Sequence, residues 1–276
     1  MPQQSRQNPS VRDFILRNVR AHPVDIAAFS ARECGLSRVA ISGYLRRLTQ
    51  EGLLSAKGNT KARRYGEVPL AHVVFKNQLF QGILEDAVWR FRVLPKINGL
   101  TQNIVDICQY GFTEIYNNAI DHSASPIATV SFNQTYSFVT LLIMDQGVGI
   151  FHKIQNDFRL DDPRQALLEL SKGRLTSDQK NHSGQGIFFT SRMFEEFSIR
   201  SGELFYRRVR KTDNDWLIES EALKTSQQGT WVSMTISTNA PWTTREIFDR
   251  YQVDPVGFTK THVPIALGKY PGEQLV

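Results

Sequence analysis

A chain of 276 residues exceeds the usual size of one domain, so two modules with a real buried core are the default expectation. Hydrophobic residues are 41% and charged residues 22% of the total, an ordinary globular balance, and no apolar run approaches the ~18 residues of a spanning helix. The polar start MPQQSRQNPS lacks the apolar segment of a leader or anchor, and Cys34 and Cys108 stand far apart without a CxxC. Together these argue against a membrane protein, a disulfide framework and a cysteine zinc site, and they lead us to expect a cytoplasmic chain.

Charge marks a boundary. Residues 1–70 carry 12 Lys and Arg against 5 Asp and Glu, a net of +7, whereas the rest carries 21 against 22. The basic excess therefore sits in the first quarter. Within it, Pro9-Ser10 opens a helix through Val11, Phe14, Ile15 and Val19, and His22-Pro23 stops it. Val24 to Cys34 makes a second helix, and Gly35 turns the chain. Ser37 caps a third, whose expected apolar stripe is Val39, Ala40, Tyr44, Leu45 and Leu48; Arg38, Ser42, Arg46 and Arg47 lie on its other face. Beyond Gly52, two short strands are predicted around Gly58-Asn59, with Lys57, Lys61, Arg63 and Arg64 near the tip.

This order resembles the winged helix-turn-helix family. The resemblance implies duplex DNA as a partner, with Arg38, Ser42, Arg46 and Arg47 on a recognition helix in the major groove and Lys61, Arg63 and Arg64 on a wing. The competing reading is a module that only dimerises or binds protein.

Ala71 to Leu94 reads as a further amphipathic helix with Val74, Leu79, Ile83, Val88, Trp89 and Phe91 as core, ended by Pro95 and Asn98-Gly99. The most informative stretch follows it. In GFTEIYNNAIDHS, Glu114, Asn118 and His122 recur every fourth residue, which puts them on one helix face. The neighbouring stripe Ile104, Cys108, Gly111, Ile115 and Ala119 is small or apolar and suited to packing on a sheet. Chance would supply E-x-x-x-N-x-x-x-H only about 0.01 times at this composition, so the polar face is worth a functional reading. A carboxylate, an amide and an imidazole aligned this way can hold a hydrated cation.

Ile127 to Asn133 and Phe138 to Met144 are predicted as paired strands, the second running into Asp145-Gln-Gly147-Val-Gly149-Ile150. Paired glycines let backbone approach a ligand, and a carboxylate ending a buried strand can accept a hydrogen bond from an exocyclic amine. Residues 151–182 read as a long polar loop with one helical patch at Ala166 to Leu170, and Lys172, Arg174 and Lys180 as cations able to reach a phosphate. In SGQGIFFTSRMFEEF, Gly184 and Gly186 precede a helix whose free N–H groups can meet phosphate. Strands are then predicted at Phe197 to Ser201, Leu204 to Val209, Trp216 to Ser220 and from Thr230 onward. Strand-rich sequence with two long helices is an α/β sandwich pattern.

Taken in order, Glu114/Asn118/His122, the D-x-G-x-G at 145–149, S-G-Q-G at 183–186 and Gly229-Thr230 resemble the N, G1, G2 and G3 boxes of the GHKL superfamily. That superfamily comprises gyrase, histidine kinases, heat-shock chaperones, mismatch-repair ATPases and anti-sigma serine kinases. The resemblance implies a two-layer α+β sandwich of Bergerat type over residues 71–238, following the mostly helical winged helix at 1–70. It implies ATP and Mg²⁺ as cofactors, with Asn118 on Mg²⁺, Asp145 on the adenine amine and Glu114 polarising water or a hydroxyl. His122, Gly147, Gly149, Ile150, Ser183, Gly184, Gly186 and Thr230 complete the implied ATP site. His182 stands where sensor kinases often have a glycine, and the shorter S-G-x-G form is closer to the anti-sigma branch.

Residues 239–276 resemble the opening of a STAS-like domain, either cut short at Val276 or docked on the ATPase sheet. The expected function is a nucleotide switch fused to a DNA-binding module. Two readings compete with it: a serine/threonine kinase acting on a protein partner, and an ATP sensor whose winged helix serves a homodimer.

Overall fold

A computed structural model describes residues 10–59, 63–79, 82, 84–162, 164–166, 185–212, 214–219, 228–251 and 265–269. The chain divides into two compact units, residues 1–71 with 133–138, and residues 72–132 with 139–276.

The first unit contains α1 (Val11–Asn18), α2 (Ile26–Cys34), α3 (Arg38–Gln50), β1 (Leu54–Lys57) and β2 (Arg64–Glu67). The starts of α1 and α3 are set by side-chain caps: Ser10 accepts the Asp13 N–H at 3.2 Å and Ser37 that of Ala40 at 3.1 Å. Gly35 leaves α2 in the left-handed region at φ 64°, where a side chain is disfavoured. β1 and β2 pair antiparallel from Leu54 opposite Glu67 to Lys57 opposite Arg64. Ile15, Leu16, Val19, Ile26, Ile41, Leu45, Leu48 and Leu54 form the core. The turn at 133–138 belongs to this unit as well. There Glu67 accepts the Ser137 N–H and the Thr135 hydroxyl, each at 3.1 Å, and the Tyr136 hydroxyl donates to Asp13 at 3.2 Å.

One expectation about α3 is corrected. Val39 is 82% exposed and Ala40 is also exposed, whereas Ile41 is fully buried with Leu45 and Leu48. The core stripe runs through 41, 45 and 48, a spacing of four and three, and Val39 lies outside it.

The second unit is mixed α+β, with helices and a largely antiparallel sheet. After β3 (Ala71–Gln78) come α4 (Glu85–Val88), a π-helical turn Trp89–Val93 and a 3-10 turn Leu94–Lys96, then α5 (Gln102–His122). β4 (Ile127–Gln134), β5 (Phe138–Asp145), α6 (Ile150–Phe158), α7 (Gly186–Met193), β6 (Glu196–Ser201), β7 (Leu204–Val209), β8 (Asn214–Glu219) and β9 (Thr230–Ser237) follow, then α8 (Thr244–Tyr251) and β10 (Ile265–Lys269). The sheet order is β10-β8-β7-β6-β9-β5-β4-β3. β6 runs antiparallel to both β7 and β9, β7 antiparallel to β8, and β10 parallel to β8.

Alternation makes the core, strict along β4, β5 and β6 and giving way on β9, where residues 234–237 are all buried. Ala128, Val130 and Phe132 on β4, Val139, Leu141 and Ile143 on β5, Phe197 and Ile199 on β6, and Val232, Met234 and Ile236 on β9 are all buried. α5 meets this layer through its small face. A Cβ on Gly111 would lie 2.4 Å from the Phe194 ring and 3.2 Å from the Met234 sulfur, so only glycine permits this approach. Ile104, Cys108, Ile115 and Ala119 are buried beside it.

The amphipathic helix expected over Ala71 to Leu94 is not what forms. Residues 71–78 are a strand with His72, Val74, Lys76 and Gln78 facing outward and Phe75 buried, a period of two that a run of mixed apolar residues disguises. Val74 is 55% and Phe91 72% exposed, so neither is core; Val88, Trp89 and Val93 are. Ile83 lies outside the described residues. The segment after Gly149 is likewise not loop throughout, because α6 buries Phe151 and Ile154 at a helical step. Lys172, Arg174 and Lys180, with most of the expected helical patch, lie outside the described residues.

The described residues after 239 join this second unit. The Asn103 amide donates to the Ala240 and Trp242 carbonyls, both at 2.9 Å, and the Trp242 indole donates to the Met193 carbonyl at 2.8 Å. On α8, Phe248 packs edge-on against Tyr110 and Phe189, and Tyr251 against Phe188.

Candidate functional site

The end of β5 gathers polar groups from several elements of the second unit. Asp145 is 6% exposed, and its Oδ1 accepts the Gly147 N–H at 2.8 Å and the Thr230 N–H at 3.3 Å. Its Oδ2 has no hydrogen-bond partner among the described residues. Burial pushes the Asp145 carboxyl above the usual aspartate range, and the two N–H donors pull it part of the way back. A carboxylate held by one oxygen keeps the other as a pure acceptor.

Three glycines let backbone pack tightly around this junction. A Cβ on Gly147 would lie 1.8 Å from the Ser123 carbonyl oxygen, one on Gly229 2.1 Å from that of Asp145, and one on Gly149 2.6 Å from the Ser201 hydroxyl. Gly149 and Gly229 also adopt φ of 83° and 98°, a region that suits glycine. Thr230 contributes twice, since its hydroxyl accepts the Ile150 N–H at 3.0 Å at the start of α6. Asp145, Gly147, Gly149, Ile150 and Thr230 are thus gathered in one place from stretches 85 residues apart.

α5 connects this junction to the start of α7. At its C-terminal end the Ser123 carbonyl accepts the Val148 N–H at 2.8 Å, which ties the helix to the glycine loop. Nine residues earlier Glu114 faces Gly186, where a Cβ would stand 1.9 Å from its Oε2. Between them, at successive turns, lie Asn118 and His122, both half-buried. The Asn118 side chain makes no hydrogen bond among the described residues. The span from Glu114 to Ser123 is about 13 Å of helix, with a carboxylate, an amide and an imidazole on one side. No group of three or more His, Cys, Asp and Glu suited to a metal occurs among the described residues, so Asn118 alone would not hold a cation without further oxygens.

Ser183 and Gly184 lie outside the described residues; Gly186 is the first residue of α7. Sequence reasoning did not find Ser123, Ser125 or Ser201. The Ser125 hydroxyl accepts the Gln146 N–H at 3.1 Å, and the Ser201 hydroxyl donates to the Gly229 carbonyl at 3.1 Å. Serine at a strand or helix end is too common to signal such a role, which register across the sheet creates.

In the first unit, Arg38, Ser42, Arg46 and Arg47 are exposed on α3, and Arg63 and Arg64 are exposed before and at the start of β2. Lys61 lies outside the described residues. No helix among the described residues is long and apolar enough to cross a membrane. No protein-family model matches the chain, and no curated protein matches it significantly.

Proposed function

We propose that residues 71–238 are an ATP-binding module of GHKL type with a Bergerat fold, and that residues 1–70 are a winged helix that binds duplex DNA, the nucleotide state setting the DNA-bound state. The observation that carries the reading is the Asp145 carboxylate, with Oδ1 committed to two backbone donors and Oδ2 left as an acceptor. An acceptor at Oδ2 fits an exocyclic adenine amine and opposes a carbonyl at the same place.

Asn118 would contribute one oxygen to Mg²⁺ beside those of the phosphates. Bound ATP supplies a transferable phosphoryl group and Mg²⁺ neutralises its charge. On the protein side, Asp145 selects and orients the base, and Gly147, Gly149 and Gly229 let backbone close around it. Glu114, which lies against the start of α7, would take a proton from water or from a hydroxyl. This position of Glu114 favours a second reading, phosphotransfer to a Ser or Thr of a protein partner.

The test is titration of the full chain with ATP and Mg²⁺, with and without duplex DNA, scored for binding, hydrolysis and phosphotransfer. A change in DNA affinity on adding nucleotide is the expected result. Binding of neither ATP nor DNA would overturn the reading.

A further inference from the structure

We propose that Ser201 is a positioning residue for Asp145, acting through the single peptide group that joins Gly229 to Thr230. The proposal rests on the reading of Asp145 as the acceptor of the adenine amine.

Ser201 is the last residue of β6 and stands in register with Thr230, the first of β9. Its hydroxyl donates to the Gly229 carbonyl at 3.1 Å. The N–H of that same peptide group belongs to Thr230 and donates to Asp145 Oδ1 at 3.3 Å. Hydroxyl, peptide and carboxylate therefore form one chain, in which each hydrogen bond polarises the next.

Ser201 is 3% exposed, so bulk water does not stand in for its hydroxyl. The space around it is filled, because a Cβ on Gly149 would lie 2.6 Å from the same oxygen. The β6–β9 ladder is made by backbone and does not need the side chain. The hydroxyl instead fixes the tilt of one peptide plane at a glycine with φ of 98°, where the chain has most freedom to rotate. Without that donor the plane turns, the Thr230 N–H moves off Oδ1, and the carboxylate swings so that Oδ2 no longer points where Gly147 and Thr230 had aimed it. The loss falls on recognition of an amine at Oδ2 and spares contacts made elsewhere on a nucleotide.

The experiment is calorimetric titration of the full chain with Mg-ATP and, separately, with the Mg-triphosphate of purine riboside, which carries hydrogen in place of the 6-amine. Wild type is expected to prefer ATP by about ten- to a hundredfold, the value of a hydrogen bond to a charged group. Ser201→Ala is expected to bring that preference to about threefold or less, with affinity for the purine analogue within about twofold of wild type. Ser201→Cys keeps the space filled with a weaker donor and should fall between; it decides the matter if the alanine variant does not fold. Equal weakening of both nucleotides, or an unchanged ratio, overturns the proposal and leaves Ser201 a structural residue. A wild type that binds both nucleotides equally removes Asp145 from base recognition and the proposal with it. A wild type that binds neither overturns the nucleotide reading itself.

Discussion

Asp145 and Thr230, 85 residues apart in the chain, are joined by a hydrogen bond of 3.3 Å from the Thr230 backbone N–H to Asp145 Oδ1. The carboxylate ends β5 and the amide begins β9, which comes four strands later in sequence but lies beside β5 in the sheet. Burying a charged group at that seam costs stability.

Replacing Asp145 by Asn tests this cost and the proposed recognition together. The amide oxygen can keep the two backbone donors while the amide nitrogen takes the place of Oδ2, so an acceptor becomes a donor. Affinity for ATP should fall by about one to two decades, equivalent to about 1.5 to 3 kcal/mol. Stability should move the other way. The carboxyl is raised by burial, so the folded chain favours its protonated form, and ionisation costs stability as pH rises from the ordinary aspartate range through the raised value. Asp145→Asn should therefore melt higher than wild type near neutral pH, with the gain shrinking as pH falls below the unfolded aspartate value of about 3.9. Melting curves from pH 3 to 8 check the sign, and calorimetry checks the affinity.

Gly229→Ala should be far more damaging than its size suggests. The new methyl would sit 2.1 Å from the Asp145 carbonyl oxygen at a φ of 98°, and backbone cannot yield as a flexible side chain would. Strain and overpacking together predict about 2 to 4 kcal/mol of destabilisation. Gly35→Ala is the control, because it shares a positive φ of 64° but meets nothing within 4 Å, and should cost only about 1 kcal/mol. Urea unfolding of both variants separates strain from crowding.

Glu114 and Asn118 stand one turn apart on α5 and should separate chemistry from binding. Glu114→Ala should leave ATP affinity within a few-fold while removing turnover or phosphotransfer, because general-base help is usually worth about 10² to 10⁴ in rate. Asn118→Ala should weaken the Mg²⁺-dependent part of binding and leave the metal-free part unchanged. Titrations in EDTA and in Mg²⁺, beside a single-turnover assay, distinguish the two.

Much of this arrangement was readable from residues alone, for a physical reason. Buried strands and an amphipathic helix leave a period, and the elements at 102–122, 127–145, 196–209 and 230–237 were legible through theirs. β3 differs from the helix expected there because the expected stripe starts at Val74, whereas Val73 and Phe75 carry the alternation, and only pairing in the sheet decides between the two periods. Val39 was placed in a core because it is apolar. Its 82% exposure follows from a stripe set by Ile41, two residues and about 200° round the helix away. Glu114, Asn118 and Asp145 stood out because their types recur at fixed steps or beside glycines. Ser201 did not, since its role comes from a register with Thr230 that no local pattern carries.

The first unit allows a prediction that needs no nucleotide. Arg38, Arg46 and Arg47 are exposed on α3, and Arg63 and Arg64 are exposed at the hairpin, near Lys61 in sequence. If about four to six of these six cations neutralise phosphates in each protomer, log K should fall against log salt with a slope of roughly −4 to −5, and twice that for a dimer on two half-sites. Replacing Arg63 and Arg64 together by Ala should flatten the slope by about two units without altering sequence preference, because phosphate contacts position a protein without reading bases. Arg46 and Arg47 are expected to differ from them. Loss of the one that meets a guanine edge should relax preference at one base pair, at about 1 to 3 kcal/mol. Fluorescence anisotropy on a labelled duplex across a salt series measures both quantities. A slope near zero, with ATP and without it, would reassign this unit to dimerisation or to a protein partner.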